Sequence, residues 1–209
     1  MSWNKQPSIL PAGAAVGNVL VQASASALGW ANRVQLLNRV DADTTVVNST
    51  ADTALAEGVI PFGTAGDLFI VEAFGDLANS SAAAVNLTWS LKAGDAANYA
   101  GATSVLAAAA FSVGVAAAPA VRSWAMRALV AMRTSSTAWI GAALDETNAG
   151  STASVWPGLN TAGSFRGTNT VGLALDTRAQ SIYLGAQLGT ASPNASVTCR
   201  AVRVYKVPA

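Results

Sequence analysis

The stretch Gly58–Gly94, GVIPFGTAGDLFIVEAFGDLANSSAAAVNLTWSLKAG, holds the clearest two-residue period and the clearest turn signals in the chain. Gly63–Asp67 follows Pro61 and predicts a turn, because proline fixes φ and the two glycines permit positive φ. A strand is predicted at Leu68–Phe74. It is followed by a predicted polar reversal, which is marked by Gly75, Asp76, Asn79, Ser80 and Ser81.

Strict alternation of apolar and polar side chains follows the reversal. The apolar set is Val85, Leu87, Trp89 and Leu91, and the polar set is Asn86, Thr88, Ser90 and Lys92. This pattern predicts a strand with one dry face and one wet face, so the stretch is interpreted as an amphipathic hairpin with Trp89 in the core. Because such a hairpin cannot bury its apolar face alone, a second sheet or a partner subunit must cover it. The late strands within Val171–Val207 are predicted to form that second sheet.

The remaining segments predict further strands. Val34–Val47 favours a strand, and Arg122–Arg133 fits either a strand or a helix, with a strand preferred because Trp139–Ala143 resembles the return arm of a hairpin. Between Gly94 and Pro119 a short helix and a long loop both remain open. The other assignments are a polar loop at Asp145–Ser154 and strands at Val171–Leu175, Ile182–Leu188 and Ala195–Val207. Turn signals about every ten residues and no long helical pattern predict an all-β sandwich.

Composition limits the classes of partner. The 209 residues suffice for one sandwich with an appended arm, so we predict an arm at residues 1–35 and a β-sandwich domain at residues 36–209. Only 11% of residues are charged and the net charge is +1, with no basic run, so no nucleic-acid partner is expected. Ala96–Val121 is uncharged but rich in small residues, so we expect neither a membrane span there nor a signal peptide at the N-terminus.

The sequence offers little that would support catalysis. It contains no histidine, and no hydrolase, phosphate-loop or paired-cysteine motif is present. Cys199 is predicted to be a buried hydrophobe, because it lies within an alternating strand pattern. Asp145 and Glu146 are assigned to a solvated loop, and Asp41 and Asp43 to an exposed edge. We therefore expect a non-enzymatic protein with no cofactor and no metal.

Residues 1–35 carry short apolar groups between frequent prolines and glycines. The segments Leu10-Pro11-Ala12-Gly13, Gly17-Asn18-Val19-Leu20 and Gly29-Trp30-Ala31 together resemble a short segment of many bacteriophage tail-fibre and related virion proteins. Asn18 stands where glutamine is usual, Ala14 where a further glycine often occurs, and the segment is present once. The resemblance implies an arm that anchors the chain to a virion, with these anchoring residues: Trp3, Leu10, Pro11, Gly13, Gly17, Val19, Leu20 and Trp30.

A second resemblance covers most of residues 45–206. It rests on the order and spacing of Asn48-Ser49-Thr50, Ile60-Pro61-Phe62-Gly63-Thr64, Gly66-Asp67-Leu68, Gly75, Asn79-Ser80-Ser81, Leu87, Leu91-Lys92-Ala93-Gly94, Leu184, Gly189-Thr190-Ala191-Ser192 and Asn194. These pieces together resemble the β-sandwich domain of phage virion proteins. The resemblance implies a jelly-roll-like sandwich on the virion surface, a homotrimer, and other virion proteins as partners. A fibre, spike or decoration subunit that contributes to host attachment is the leading hypothesis.

Four aromatic residues in or near polar segments allow a different function. Trp139, Trp156, Tyr99 and Tyr183 either belong to the core or a subunit interface, or serve as stacking platforms for a host-surface glycan. A glycan-binding module is therefore the alternative hypothesis. A polysaccharide hydrolase is the third, and it would require two carboxylates about 5 to 10 Å apart in a groove.

Overall fold

The protein is described here from a computed structural model, which defines the backbone of residues 19–24, 27–31, 34–80, 85–113, 120–146 and 164–207. Over these residues the chain forms thirteen strands and no helix. They are β1 (Val19–Ser24), β2 (Ala27–Ala31), β3 (Gln35–Val40), β4 (Thr44–Val47), β5 (Thr53–Ile60), β6 (Leu68–Asn79), β7 (Val85–Asp95), β8 (Thr103–Val113), β9 (Ala120–Met132), β10 (Thr137–Glu146), β11 (Ser164–Gly172), β12 (Gln180–Leu188) and β13 (Ala195–Val207).

Two antiparallel sheets form the sandwich. The larger sheet has seven strands in the order β11-β10-β9-β6-β13-β3, with β4 also paired to β13, and the smaller has the order β5-β12-β7-β8. Buried apolar side chains from both sheets form one continuous core. The predicted all-β, jelly-roll-like sandwich is confirmed. Among the residues that the structure describes, none forms a helix long and apolar enough to span a bilayer.

The predicted hairpin of the Gly58–Gly94 stretch is wrong, because its two strands lie in opposite sheets. β6 pairs with β9 and β13, whereas β7 pairs with β12 and β8. Contrary to the prediction, the late strands do not form one second sheet, because they are divided between the two sheets. β12 lies beside β7 in the smaller sheet, and β13 lies beside β6 in the larger sheet. Alternation identifies which side chains face the core, but it carries no information about which strand is the neighbour. Trp89 is fully buried, as predicted.

The predicted polar reversal at Gly75 is also wrong, since β6 continues to Asn79. Gly75 faces inward, and a Cβ atom there would lie 2.5 Å from Cζ2 of Trp124 and 1.9 Å from the carbonyl oxygen of Thr198. The indole of Trp124 occupies the space above this glycine and donates a hydrogen bond of 3.3 Å to the Asp76 carbonyl. Glycine is therefore needed at this position because the Trp124 ring and the Thr198 backbone pack closely against it within a strand, and not because the chain turns there.

The Trp124 indole also contacts the opposite sheet. Its ring lies 5.4 Å from that of Trp89, centroid to centroid, with the planes inclined by 57°. Trp124 belongs to β9 and Trp89 to β7, so this pair joins the two sheets. Inclined aromatic pairs at this separation add about 0.5–1.5 kcal/mol beyond the free energy of burying their surface.

Other sequence assignments are confirmed or corrected by the strands. Arg122–Arg133 lies almost entirely within β9, and β10 is its hairpin partner, as predicted. The region between Gly94 and Pro119, left open between a helix and a loop, contains β8. β10 continues to Glu146, so the predicted polar loop begins later than Asp145. The strand predicted at Val171–Leu175 ends at Gly172, although Leu173 and Leu175 remain buried, and Cys199 is buried as expected.

We predict that Gly75→Ala destabilises the protein by about 3 kcal/mol or more, because the backbone oxygen of Thr198 cannot move away as a flexible side chain would. The matched control is Gly172→Ala, where the nearest atom to a new Cβ is 4.0 Å away. Urea unfolding of both variants and the wild type, at one protein concentration, measures the difference. Equal stability of the Gly75→Ala and Gly172→Ala variants would contradict this packing.

Candidate functional site

A polar cleft of about 290 Å³ opens at one end of the sandwich. Three connections surround it: residues 96–102 between β7 and β8, residues 133–136 between β9 and β10, and residues 173–179 between β11 and β12. The three connections meet because they begin or end at paired strand ends. Gln180 at the start of β12 pairs with Asp95 at the end of β7, and Thr137 at the start of β10 pairs with Gly172 at the end of β11. The cleft is lined by Ala93, Gly94, Asp95, Asn98, Gly101, Thr103, Ser136, Gly172, Ala174, Arg178 and Gln180.

The charged groups of the cleft form one network around Asp95. Oδ1 of Asp95 accepts a hydrogen bond of 2.9 Å from Nε2 of Gln180 and lies 2.7 Å from Nε of Arg178. Gln180 is only 2% exposed, so it contacts the carboxylate from the buried side. The Arg178 side chain is 62% exposed and contacts the carboxylate from the solvent side. The guanidinium therefore stays near the mouth of the cleft with its terminal nitrogens accessible.

The wall formed by residues 96–102 is fixed by Tyr183. The hydroxyl of Tyr183 donates to the carbonyl of Asp95 at 2.6 Å and accepts from the amide of Asn98 at 2.9 Å. The amide of Ala97 donates to Oε1 of Glu57 at 2.8 Å, and the Asn98 side chain accepts from the amide of Gly101 at 3.1 Å. These bonds satisfy much of the connection's backbone, so the wall of the cleft is built before any ligand arrives.

A second polar cluster fastens the same connection to the outer face of the smaller sheet. Oδ1 of Asp52 accepts hydrogen bonds from the Tyr99 hydroxyl at 2.6 Å and from Oγ of Ser90 at 2.7 Å. Nζ of Lys92 lies 2.7 Å from Oδ2 of Asp52 and 4.0 Å from the centre of the Tyr99 ring. Gly185 leaves the room in which these groups meet, since a Cβ there would lie 1.8 Å from the Tyr99 hydroxyl.

The protonation states of this cluster follow from its contacts. Burial alone would raise the pKa of Asp52, but hydrogen bonds from Lys92, Tyr99 and Ser90 outweigh it and hold that pKa below its ordinary value. Burial and the hydrogen bond to the Asp52 carboxylate raise the pKa of Tyr99. At neutral pH Asp52 is therefore an ionised carboxylate and Tyr99 a neutral hydrogen-bond donor. We call the cluster of Asp52, Ser90, Lys92 and Tyr99 the clamp, because it holds residues 96–102 against the smaller sheet.

The structure brings two of the four predicted glycan-contacting residues, Tyr99 and Tyr183, together and places Trp139 in the other sheet. Tyr183 is only 1% exposed, which favours the core position over a ligand contact for this residue: the connection 96–102 covers it, and the Tyr99 ring lies 5.6 Å away, edge-on. Tyr99 is half-buried in the clamp. Trp139 lies on β10, on the outer face of the larger sheet, with 39% of its surface exposed. Trp156 lies outside the described residues.

Part of the predicted anchoring arm is described by the structure. β1 and β2 pair as an antiparallel hairpin that places Leu20 opposite Trp30 and Val19 opposite Ala31. The other predicted anchoring residues, Trp3, Leu10, Pro11, Gly13 and Gly17, lie outside the described residues. This part of residues 1–35 therefore contains a two-stranded antiparallel unit, with a register shift between Gln22 and Ser24.

The outer face of the larger sheet carries an apolar stripe that crosses five strands. One row of the register brings together Leu129, Ile70, Tyr205 and Leu36, and the next row contains Trp139 and Leu68. We call these six residues the outer stripe. Leu36 is 47% exposed and Leu129 38%. The stripe combines three exposed apolar side chains, Leu36, Leu129 and Trp139, with three half-buried ones on one sheet face, and such grouping is typical of contact surfaces.

Ion pairs border the outer stripe on one side. Arg127 pairs with Glu72 on the neighbouring strand, Arg203 lies 2.5 Å from Asp41, and Arg200 bridges Asp43 and Asp76. Asp41 and Asp43 are exposed, as predicted, and each has an arginine partner. In the part of the chain that the structure describes, no group of three or more His, Cys, Asp or Glu residues is placed to hold a metal ion.

Sequence reasoning missed the residues that line the cleft. Asp95, Arg178 and Gln180 stand singly in the sequence, and their convergence depends on the pairing of β7 with β12, which alternation does not reveal. The available signal was local: Asn98 and Gly101 mark a tight connection directly after Asp95. A polar residue beside such a connection is a candidate for a loop site.

Comparison with known proteins identifies no family. No protein-family model matches the sequence, and no curated protein matches it. Among solved structures, lectin I from Ulex europaeus, in complex with the methyl glycoside of α-L-fucose, matches with TM-score 0.31 and 10% identity, over 80% of this chain and 99% of that one. Two structures of infectious bursal disease virus also match over 90% of this chain. They are the VP2 subviral particle, with TM-score 0.23 and 11% identity, and the Gx strain, with TM-score 0.20 and 10% identity. This chain spans 45% and 46% of the length of those two viral chains.

We predict that Asp52→Asn lowers the free energy of unfolding by about 1 kcal/mol at pH 7, because charge-assisted hydrogen bonds are lost. The folded-state pKa of Asp52 is lowered, so its contribution is present above the unfolded-state pKa of about 3.9 and disappears as pH falls through the folded-state value. The difference between variant and wild type should therefore shrink from pH 5 to pH 2. Urea unfolding at several pH values tests this, with Asp176→Asn, an exposed carboxylate, as the charge-matched control. A difference that stays constant with pH would contradict the clamp.

Proposed function

We propose that this chain is a non-enzymatic structural subunit on the surface of a bacteriophage particle, a fibre, spike or decoration protein. Residues 36–209 form a sandwich that associates with identical copies, in the first instance as a homotrimer. Residues 1–35 bind another virion protein of the capsid or tail. The proposal rests on the likeness of the arm and sandwich motifs to phage virion proteins and, above all, on the outer stripe.

The outer stripe supports association because its side chains remain in water in the single chain. Leu36, Leu129 and Trp139 are 47%, 38% and 39% exposed, and they lie on adjacent rows of one regular sheet. Removing such a surface from water contributes about 25 cal/mol per Å². A flat sheet face of this kind is covered most simply by another flat protein surface.

Identical copies are the partner that the charge pattern favours. The row beside the stripe contains both signs, with Arg127 and Glu72 on neighbouring strands and Arg203 next to Asp41. A surface with mixed signs can oppose a second copy of itself without the repulsion that a single-sign surface would create. The low charge content of the chain, 11%, also reduces the desolvation cost of close contact between subunits.

The cleft lining does not favour the third hypothesis, a polysaccharide hydrolase. Asp95 is the single carboxylate among the described residues that line it, so the pair needed for glycoside hydrolysis is not assembled there. A glycan-binding module is the second candidate function. It is favoured by the cleft itself, whose polar groups are fixed in place on an end of the sandwich.

We expect the wild-type protein to sediment as a homo-oligomer and the double variant Leu36→Glu, Leu129→Glu to sediment as a monomer, because burying two carboxylates in a subunit contact is unfavourable. Sedimentation velocity over a range of concentrations measures this. The control is Asn86→Glu, which adds a charge at an exposed position of the smaller sheet. A wild-type protein that remains monomeric when concentrated would remove the main support for the proposal.

The same preparations test attachment through the arm. Leu20→Asp with Trp30→Ala should leave the oligomer intact but reduce binding to particles that lack this subunit, as measured by co-sedimentation with the particles. Unchanged binding by this arm variant would contradict the anchoring role. Loss of both association and attachment in the arm variant would instead show that the arm holds the subunits together.

A further inference from the structure

We infer that the cleft between residues 96–102, 133–136 and 173–179 binds one or two rings of an uncharged saccharide. Its volume of about 290 Å³ lies at the lower limit of ligand pockets, which begin at roughly 300 Å³. The inference deepens the second candidate function, glycan binding, on which it rests, by naming the class of saccharide, and it does not depend on the outer stripe or the arm.

The charge of the cleft selects for a neutral ligand. Its one carboxylate, Asp95, and its one guanidinium, Arg178, are paired at 2.7 Å, so the described lining residues carry no net charge. An anionic ligand would compete with Asp95 for the guanidinium, and a cationic ligand would compete with Arg178 for the carboxylate. A ligand that offers hydroxyl groups disturbs neither pairing.

The remaining hydrogen-bonding groups of the cleft include both donors and acceptors, which sugar hydroxyl groups require. Each sugar hydroxyl both donates and accepts, and it needs partners of both kinds. Arg178 supplies terminal N–H donors, Asp95 supplies its second carboxylate oxygen, and Ser136 supplies a hydroxyl. Because Oδ1 of Asp95 is already held by Gln180 and Arg178, the carboxylate is oriented before binding.

Small residues give the ring access to these groups. Gly94, Gly101, Gly172 and Ala174 line the cleft, so the backbone forms much of its surface. A Cβ placed on Gly172 meets no atom closer than 4.0 Å, so the space above this glycine is open. The hydrogen bonds of Tyr183 keep the opposite wall in position, which reduces the entropy lost on binding.

The experiment is saturation-transfer difference NMR of the full chain with D-glucose, D-galactose, D-mannose, N-acetyl-D-glucosamine, lactose and maltose, each at 10 mM. N-acetylneuraminic acid is the charged comparison. We expect at least one neutral sugar to bind, with a Kd in the millimolar range for a single ring. Gly172→Leu, whose Cβ has room and whose longer side chain would occupy the cleft, should weaken that binding by about tenfold or more, and Arg178→Ala should weaken it as well.

Asn86→Ala is the matched control, because Asn86 is exposed near the end of β7 that lies away from Asp95 and does not line the cleft, and it should leave sugar binding unchanged. Urea unfolding confirms that each variant is folded. The inference is overturned if no neutral sugar binds, if only the acidic sugar binds, if binding persists in Gly172→Leu, or if it disappears in Asn86→Ala. Each of these outcomes leaves the sedimentation and particle-binding results unaffected, so the two proposals fail separately.

Discussion

The contact between Trp89 and Trp124 is the interaction on which the rest of the structure depends, because it fixes how the two sheets face each other. The Trp124 indole could not occupy its position against Trp89 if β6 carried a side chain at Gly75, so three residues on three strands define one packing unit. Close packing of this kind tolerates little change in volume. This unit therefore constrains how the smaller sheet packs against the larger one.

Buried and half-buried polar residues have a different task, which is to hold one connection in place. Tyr183 binds the backbone of residues 96–102 from beneath, and Asp52 clamps Tyr99 from the side. Both tyrosines suggested ligand contacts in the sequence, and both instead support a wall of the cleft. Polar groups that are fully satisfied by the protein are better suited to positioning than to recognition, whereas the exposed guanidinium of Arg178 is available for recognition.

Much of the fold could be predicted from the sequence because side-chain alternation is a local property. The alternation around Trp89 gave the correct buried face, and the competing periods at Arg122–Arg133 were resolved correctly by the short turn that follows them. Strand neighbours could not be predicted, since pairing is set by contacts between residues far apart in the chain. For the same reason the convergence of the polar residues of the cleft could not be predicted. Gly75 has the local appearance of a turn residue, but its role is to leave room for the Trp124 indole of another strand.

The most direct test of the packing is a double-mutant cycle on Trp89→Leu and Trp124→Leu, with unfolding in urea measured at one protein concentration so that association does not alter the comparison. If β7 and β9 face each other through these rings, the two losses in free energy of unfolding should be coupled by about 1 kcal/mol. If the losses add to within about 0.3 kcal/mol, the two indoles are not in contact, and the arrangement of the sheets described here is contradicted.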